Sequence, residues 1–424
     1  MPRLTIISIS FLLTVLLMSS VNAISINAHP KLQKIAAELV AERHYTQTEI
    51  EQVFARAQIQ QSVLNSMKNP AEYKFTWGKY RKLFIQPDRI EQAVEFWREY
   101  EDELIRAERE YGVPASIIVA IIGVESKYGR YKGKHKVLDS LVSLVVDFPR
   151  RSDFFAKELK HFLILTKENQ MDTVNILGSY AGAVGYPQFI ASSYRSYAVD
   201  FSGDGKTDLI NQPVDAIGSV ANYFVKNGWL NSQPITSTIF TSVPSAVADL
   251  ANNKRQIQFT AEKLRSMGAP VDVSINPNEK LNVLRLNANE IVPQEVAANT
   301  YIVRAGDTAC QIAEKFSMKC RDLITLNKLN ASADIFRGQR LKLSEQSTQT
   351  RNANAERVDQ SSLEQYQYFF THENFYVITR YNHSVLYAMA VNDLSVAVQQ
   401  EKTRQDRTRS VSNSTNYNKA YIPK

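Results

Sequence analysis

The chain has 424 residues, which is enough for two or three domains and a sizeable core. Its net charge of +7 makes it mildly basic, but no block of Lys and Arg is dense enough to indicate a nucleic-acid partner. Six histidines and two cysteines, with no pair at ligand spacing, argue against a zinc cluster.

Residues 1–23 have the layout of a secretory signal peptide. The segment MPRLTIISISFLLTVLLMSSVNA has a basic start, an apolar stretch, and small residues at Val21 and Ala23 in the cleavage positions. A retained membrane anchor is the alternative, and the absence of a cysteine near the cleavage site excludes a lipoprotein. We therefore expect the mature protein to be exported into an oxidising compartment.

The pattern between about residues 30 and 230 is helical. Thr46 and Glu49 have the spacing of a capping box at a helix start. A long amphipathic helix is expected to begin at Asp88 and to end at Gly112. Glycines and aromatic residues gather between Gly178 and Gly205, a composition typical of tight turns and a ligand groove.

A buried helix is expected in PASIIVAIIGVESKYG, residues 114–129. The segment is too short to span a membrane and too apolar for a surface; Pro114 suits its start and Gly129 its exit. Glu125, near its end, costs free energy unless something compensates the charge. One interpretation is a structural carboxylate paired with Arg130, Lys127 or backbone donors, and the second is a general acid whose pKa is raised by burial.

After about residue 231 the chain becomes more polar and more typical of strands. Residues 281–288 alternate like a strand, and residues 301–343 form a compact segment. A polar linker is expected at 345–361, followed by a strand pair and a helix within 366–398. Residues 401–424 are expected to be a disordered tail.

Several segments, taken in order, resemble those of the lytic murein transglycosylase B family. They are GVESKYGRYKG, DFPRRSDFFAKEL, GSYAGAVGYPQFIASSYRSYAVDFSGDGKTDL, DAIGSVANYF and NFYVITRYNHSVLYAMAV. The likeness covers about residues 30–290 and 365–400. It implies a mainly α (α+β) fold, with a lysozyme-like catalytic core, a small β subdomain and a loop like that of an EF-hand.

The resemblance implies non-hydrolytic cleavage of the β-1,4 bond between N-acetylmuramic acid and N-acetylglucosamine in peptidoglycan. Glu125 would protonate the glycosidic oxygen and then take the proton of the muramoyl 6-hydroxyl, which closes a 1,6-anhydro ring. A hydrolytic muramidase needs a second carboxylate, for which Asp139 and Asp147 are the candidates. A glycan-binding scaffold without catalysis and a calcium-regulated structural protein are two further hypotheses.

Further residues stand at the family's groove positions and are expected to bind substrate. They are Ser179, Gln188, Tyr223, Tyr381, Asn382, Tyr387, Arg150 and Arg151. The amides and hydroxyls could hydrogen-bond acetamido groups, and the arginines could bind carboxylates. The sequence departs from the family at Pro187, where glycine is frequent, and at Phe154, where tyrosine occurs.

The segment DFSGDGKTDLINQPVD resembles an EF-hand calcium loop. Its expected calcium ligands are Asp200, Ser202, Asp204, Lys206 through its carbonyl, and Asp215. Asn211 stands where the usual twelfth-position Glu is missing, so Asp215 would supply the closing carboxylate. A sodium ion or an empty hydrogen-bonded loop is the alternative. The family implies this structural Ca²⁺ and no organic cofactor.

Residues 299–344 resemble a LysM module, a βααβ unit that binds glycans containing N-acetylglucosamine. Its groove is expected near Gly306, Asp307, Thr308, Asn327 and Ile335. Because the protein is expected to be exported, a disulfide between Cys310 and Cys320 is favoured over two free thiols.

The order of the segments predicts that the LysM-like module is inserted within the catalytic domain. The catalytic parts are 24–290 and 362–400, and the module lies between them. The alternative is a module that simply follows a complete catalytic domain. We expect a monomer in the periplasm of a Gram-negative bacterium, soluble after signal cleavage, that binds peptidoglycan strands and no nucleic acid. Cell-wall synthesis or secretion machinery is a further candidate partner.

Overall fold

A computed structural model of the chain describes most of the sequence. The described residues are 24, 26–68, 75–240, 243–251, 257–288, 300–303, 307–316, 318–327, 329, 333, 335, 340–343 and 366–420. The predicted signal peptide and polar linker lie outside them, as does Gly306. No helix within these described stretches combines the length and the apolar character needed to cross a membrane.

The described elements are mainly helices, with short antiparallel strands. The helices are α1 (Pro30–Ala41), α2 (Gln47–Ala55), α3 (Gln61–Lys68), α4 (Trp77–Phe84), α5 (Pro87–Glu99), α6 (Glu101–Tyr111), α7 (Ala115–Ser126), α8 (Val137–Asp147), α9 (Ser152–Glu168), α10 (Ala191–Tyr197), α11 (Pro213–Lys226), α12 (Ser245–Ala248), α13 (Ala261–Ser266), α14 (Ala309–Lys315), α15 (Cys320–Leu326), α16 (Glu373–Tyr381) and α17 (Val385–Ala420). The strands are β1 (His135–Lys136), β2 (Leu177–Gly178), β3 (Thr236–Phe240), β4 (Phe259–Thr260), β5 (Lys280–Asn287), β6 (Thr300–Ile302), β7 (Arg340–Lys342) and β8 (Tyr366–Thr371).

The chain divides into two compact units. The first comprises the described residues within Met1–Asn69, Lys132–Ser196 and Gly205–Asn211. The second comprises those within Pro70–Tyr131, Tyr197–Asp204 and Gln212–Lys424.

The first unit is built on the packing of α8 against α9, with α1 and α3 alongside. The expected capping box starts α2: the Thr46 hydroxyl accepts from the Glu49 amide, and the Glu49 carboxylate accepts from the Thr46 amide. Asp139 on α8 is buried, and its two oxygens accept from the Gln58 amide at 3.0 Å and the Gln60 side chain at 3.3 Å. These bonds tie the segment before α3 to α8.

The second unit is organised around α7, the buried helix that the sequence predicts. Residues Ile117–Gly123 of α7 are all buried, so the helix is apolar on every side rather than on one stripe. Helices α17, α5, α6 and α11 pack against it. The expected single helix from Asp88 to Gly112 is two helices, because Tyr100 leaves the helical conformation (φ −118°, ψ 34°) between α5 and α6.

A four-stranded antiparallel sheet in the order β3-β8-β5-β4 forms the β part of the second unit. Its register pairs Asn282 with Thr371 and Asn287 with Tyr366. The chain therefore leaves β5 and returns on its direct neighbour β8, after the segment that contains β6 and β7. The sheet packs on α12 and α13 through a small core of its own, which includes Leu264, Val283 and Phe370.

Two buried polar residues attach the sheet and α16 to their surroundings. The ring of His372 lies 2.6 Å from a Glu279 carboxylate oxygen and 3.0 Å from the Ser237 hydroxyl, and so links the ends of β5 and β3. Asn374, fully buried, accepts from the Leu230 amide and donates to the carbonyls of Leu230 and Gln233. The strand pair expected within 366–398 is wrong, because residues 373–381 of that segment are helical.

Residues 300–343 contain β6, α14, α15 and β7, with β6 and β7 paired antiparallel. Their small core includes Tyr301, Ile312, Leu323 and Leu341. A disulfide joins Cys310 to Cys320, with the two Cα atoms 4.6 Å apart. The Thr308 hydroxyl caps α14 by accepting from the amide of residue 311.

The expected disordered tail is wrong for residues 401–420, because α17 continues to Ala420. Charged residues of this stretch have partners on α5 and α6. Arg98 donates to the Gln405 side chain and pairs with Asp406 at 3.1 Å, and Lys402 lies 2.8 Å from Glu101. Composition alone could not reveal these partners, and residues 421–424 lie outside the described part.

Candidate active site

Glu125 lies in the last turn of α7, where the apolar helix reaches the surface. Its side chain is half-buried. The hydroxyl of Tyr387, on α17, donates a hydrogen bond to its Oε1 at 2.6 Å. The alternative structural partner Arg130 pairs with Glu95 at 3.5 Å. The candidate acid is thus in contact with a tyrosine hydroxyl.

The backbone after Ser126, the last residue of α7, is left-handed over three consecutive residues. Lys127 caps α7 at φ 49°, Tyr128 follows at φ 59°, and Gly129 at φ 79°. The sequence predicted an exit at Gly129, but the helix already ends at Ser126. Left-handed conformations cost free energy at non-glycine residues and persist only where the surroundings enforce them.

Aromatic side chains from several helices form a cluster beside Glu125. The rings of Tyr387 and Tyr381 are stacked with centroids 6.3 Å apart, and those of Tyr381 and Tyr223 meet edge to face at 4.8 Å. Tyr197 extends the cluster from the far side of Tyr223, also at 4.8 Å. The structure therefore brings three of the predicted tyrosines to the predicted acid.

The charge of Glu125 affects the pKa of two of these tyrosines. Burial, and then the neighbouring carboxylate, raise the pKa of Tyr387 and of Tyr381 well above its ordinary value. Burial, followed by the nearby Tyr197, also raises the pKa of Tyr223. All three hydroxyls therefore remain neutral donors through the whole range in which a carboxylate titrates. Asn382 follows Tyr381 directly, at the C-cap of α16.

The remaining predicted groove residues belong to the first unit. The Ser179 hydroxyl accepts from the amides of Ala181 and Ala183 at 3.2 and 3.0 Å, and so keeps its own O–H as a donor. Gln188 has left-handed backbone (φ 48°), and its amide donates to the carbonyls of Gly185 and Lys132.

The two predicted arginines are exposed in the short 3-10 turn Pro149–Arg151. The Arg151 guanidinium lies over the ring of Phe154, 4.2 Å from its centroid. Phe154 is one of the two positions at which the sequence departs from the family, and it has a packing role here. Exposed guanidinium groups of this kind are available to carboxylates.

The loop from Asp200 to Asp215 is closed by hydrogen bonds. One Asp200 oxygen accepts from the Ser202 hydroxyl and from the amides of Gly203 and Asp204. One oxygen of the buried Asp215 accepts from the amides of Phe201 and Ser202. Oxygen donors of the kind that calcium binds are present. The described residues nevertheless contain no group of three or more His, Cys, Asp or Glu side chains placed to hold a metal ion.

The boundary between the two units passes through the loop that contains the five predicted calcium ligands. Lys206 falls in the first unit, whereas the four remaining ligands fall in the second. Asn211, which stands at the twelfth loop position and is not a predicted ligand, donates to Asp208. The role of these five residues as calcium ligands stays a prediction.

Tyr197 is the residue of the aromatic cluster that the sequence did not reveal. It is half-exposed at the end of α10 and meets Tyr223, on the next helix of the chain. The only signal was its place in the long glycine- and aromatic-rich segment, which contains several more tyrosines. Nothing in that pattern separates a ring in the cluster from one elsewhere.

Comparisons with known proteins show which family the chain belongs to. A family model described as the transglycosylase SLT domain matches residues 27–306 and 306–396. The membrane-bound lytic murein transglycosylase B of Escherichia coli (strain K12) is 34% identical over 379 residues, which cover 87% of this chain and 83% of that protein.

Solved structures of lytic transglycosylases have a similar fold. Soluble lytic transglycosylase SltB1 from Pseudomonas aeruginosa has a TM-score of 0.67 and 31% identity, covering 88% of this chain and 100% of that one. The Escherichia coli lytic transglycosylase Slt35 in complex with calcium has a TM-score of 0.65 and 32% identity, covering 89% and 96%. The fold is thus the mainly helical, lysozyme-like transglycosylase fold with small antiparallel sheets. The chain belongs to the SLT-domain transglycosylase family and is a lytic transglycosylase that acts on peptidoglycan.

Proposed function

We propose that Glu125 is the single acid and base of a non-hydrolytic cleavage of the bond between N-acetylmuramic acid and N-acetylglucosamine. The observation that carries the proposal is the hydrogen bond from the Tyr387 hydroxyl to Glu125 Oε1. This bond holds the carboxyl group of Glu125 in place. The acidic proton on that group would face the glycosidic oxygen of the bound strand.

In the first step Glu125 gives this proton to the glycosidic oxygen as the bond to C1 breaks. N-acetylglucosamine leaves as an alcohol, and positive charge develops on the muramoyl ring. The carboxylate is now ionised, and Tyr387 stabilises it by donating to Oε1. The edges and hydroxyls of the aromatic cluster of Tyr197, Tyr223, Tyr381 and Tyr387 form one wall of the proposed site.

In the second step ionised Glu125 takes the proton of the muramoyl 6-hydroxyl, whose oxygen bonds to C1. The 1,6-anhydro ring closes, Glu125 regains its proton, and no water is consumed. One carboxylate therefore suffices. The environment of Asp139 supports a mechanism with one carboxylate. Both oxygens of Asp139 accept hydrogen bonds from the segment before α3, which gives this residue a structural role.

Tyr387→Phe should lower kcat about tenfold, because it removes one hydrogen bond to a charged group and keeps the stacked ring. Burial raises the pKa of Tyr387, so its hydroxyl stays protonated throughout the working range. Because the variant removes a donor to ionised Glu125, its pH–rate profile should move to higher pH. Steady-state kinetics on solubilised glycan strands measures both effects. Tyr376→Phe, a half-buried ring on α16, is the control and should behave like the wild type. Equal rates for Tyr387→Phe and wild type would remove Tyr387 from the mechanism.

We further propose that Ser179, Gln188, Arg150 and Arg151 bind the rest of the strand. A hydroxyl and a primary amide are suited to the acetamido groups, and exposed guanidinium groups to the carboxylates of peptide stems. Asn382 would contribute a second amide beside Tyr381. Their positions in the family's motifs support these roles.

We also propose that residues 299–344 bind glycan in the manner of a LysM module. The βααβ order, the separate core and the disulfide of the described residues support an independent unit. Asp307, which accepts from the Tyr301 hydroxyl at 2.9 Å, and the exposed Thr308 lie at its proposed groove. Asn327 bonds to the backbone of Lys342 and has a structural role instead.

We propose that calcium stabilises the loop from Asp200 to Asp215. The oxygen donors of this loop and the calcium complex of the related Slt35 support the proposal. Millimolar calcium should raise the melting temperature by about 2–4 °C relative to chelator, which corresponds to about 1 kcal/mol. Differential scanning fluorimetry measures the shift, and Asp200→Asn should abolish it. A wild-type melting temperature that is identical in calcium and in chelator would refute the proposal.

Finally, we propose that the protein is exported and works in the periplasm. The basic, apolar and small-residue regions of residues 1–23 support cleavage after Ala23. A mature chain begins at Ile24 on this view, which N-terminal sequencing of the protein from cells would verify.

A further inference from the structure

We propose that the carboxylate of Glu125 is aimed by a clamp of three residues that do not touch substrate: Arg89 on α5, Gly123 on α7, and Tyr128 just after α7. We call these residues the α7 clamp. The proposal rests on the proposed role of Glu125 as the acid. The three clamp residues would position the Glu125 carboxylate by holding the last turn of α7.

The first part of the α7 clamp is the contact between Gly123 and Tyr128. A Cβ placed on Gly123 would lie 2.3 Å from the Tyr128 hydroxyl oxygen and 2.6 Å from its Cζ. Real Cβ atoms do not approach that closely, and both residues are buried. A helix interior ordinarily prefers alanine to glycine, so this glycine is explained by the tyrosine that lies on it. Gly123 and Tyr128 bracket Glu125 in the sequence.

The Tyr128 ring is held by packing and not by its hydroxyl. It contacts the Phe96 ring at 5.5 Å between centroids. Its buried hydroxyl oxygen has no hydrogen-bond partner among the described residues. Burial raises the pKa of Tyr128, so the hydroxyl stays neutral. A buried polar atom without a partner is costly, which indicates that the position of the ring is what matters.

The second part of the α7 clamp is the hydrogen bond from Arg89 to Gly123. The Arg89 side chain is buried, and its Nη1 donates to the Gly123 carbonyl at 2.9 Å. The same carbonyl accepts from the Lys127 amide at 3.2 Å, the bond that closes the turn containing Glu125. Arg89 therefore fixes α5 to the carbonyl that defines this last turn.

The left-handed backbone of Lys127 and Tyr128 shows that the exit of α7 is enforced. Two consecutive non-glycine residues at positive φ are strained, and such strain persists only where packing maintains it. The α7 clamp supplies that packing on the side facing α5. The Ser126 hydroxyl adds local support, because it donates to the Ile122 carbonyl and accepts from the Gly129 amide. The result is one fixed direction for the side chain of Glu125.

Gly123→Ala is the direct test. The added methyl must displace Tyr128 and with it the turn after Glu125. We expect kcat on solubilised strands to fall about 10–100-fold with KM little changed, since misplacement of a catalytic group by about 1 Å has effects of this size. The pH–rate profile should also move to higher pH, because the bond from Tyr387 that stabilises the ionised form is weakened.

A double-mutant cycle shows whether Gly123 and Tyr128 act as one unit. Tyr128→Ala removes the ring that the new methyl meets, so adding Gly123→Ala to it should cost much less than in the wild type. For Arg89, the lysine variant keeps a donor and should retain more activity than Arg89→Met, which has none.

Leu264→Ala is the control for an effect that comes only from lost stability. It opens a cavity in the sheet core, far along the chain from α7. It should lower the melting temperature but leave kcat and the pH profile unchanged. Glu125→Gln serves as the reference for the chemistry. One outcome is that Glu125→Gln is inactive while Gly123→Ala and Arg89→Met keep the wild-type kcat and pH profile. That outcome would refute the α7 clamp and would leave the role of Glu125 as the acid intact. If Glu125→Gln is fully active, the proposed function itself fails.

Discussion

Glu125→Gln is expected to reduce the rate of peptidoglycan cleavage by about 10²–10⁴-fold, the range in which general acid–base catalysis contributes. The upper end is expected, because the mechanism assigns both proton transfers to the same side chain. Glutamine is nearly isosteric and can still accept from the Tyr387 hydroxyl, so the cluster should remain folded. Release of soluble muropeptides from purified peptidoglycan measures the effect.

The control for this substitution is Glu95→Gln. It removes a carboxylate of the same charge from an exposed site on α5, where Glu95 pairs with Arg130 at 3.5 Å. Surface pairs of this kind contribute little, so activity and melting temperature should stay at wild-type values. If Glu125→Gln digests peptidoglycan at the wild-type rate, Glu125 is not the acid.

The second large effect is expected from removing the C-terminal part of the chain. A protein truncated after residue 288 loses β8, which lies between β3 and β5 in the sheet, and also α16 and α17. It loses Tyr381, Asn382 and Tyr387 as well. Such a protein should be inactive and largely unfolded, because α17 packs on α4, α5 and α7. Circular dichroism measures the loss of folding, and an activity assay measures the loss of cleavage. If the truncated protein is folded and active, residues 299–344 merely follow a complete catalytic domain.

The matched variant removes only the inserted segment. Asn287 and Tyr366 are paired across β5 and β8, so a two-residue Asn-Gly turn could join the strands directly in place of residues 288–365. This protein should fold and cleave soluble strands at near wild-type kcat. Its cosedimentation with insoluble peptidoglycan should weaken, since the proposed glycan-binding unit is gone. Unchanged cosedimentation would contradict the glycan-binding role of residues 299–344.

Local patterns were sufficient to predict several elements of the fold. The capping box at Thr46, the buried helix that contains Glu125 and the strand at 281–288 depend on residues close in sequence, and all three are confirmed. The helical end of α17 depends on distant partners such as Arg98, 307 residues from Gln405 in the chain, and was wrongly predicted as disorder. Periodicity carried no sign of the break at Tyr100.

The site could be predicted only in part, for the same physical reason. Glu125 stood out because a carboxylate at the end of an apolar helix is costly, and the motifs indicated Tyr387. That these two residues meet is a contact between positions 262 residues apart. The left-handed turn after Ser126 and the contact of Tyr128 with Gly123 are also invisible in the sequence, because they depend on packing against α5.

The most direct measurement of the central claim is mass spectrometry of the products formed from purified peptidoglycan in water enriched in heavy oxygen. The proposed mechanism uses the muramoyl 6-hydroxyl as the nucleophile. The products should therefore carry 1,6-anhydro ends, lighter by one water than hydrolysis products, and should contain no heavy oxygen. Reducing ends labelled with heavy oxygen would show that water attacks C1, and would contradict the account in which Glu125 alone closes the ring.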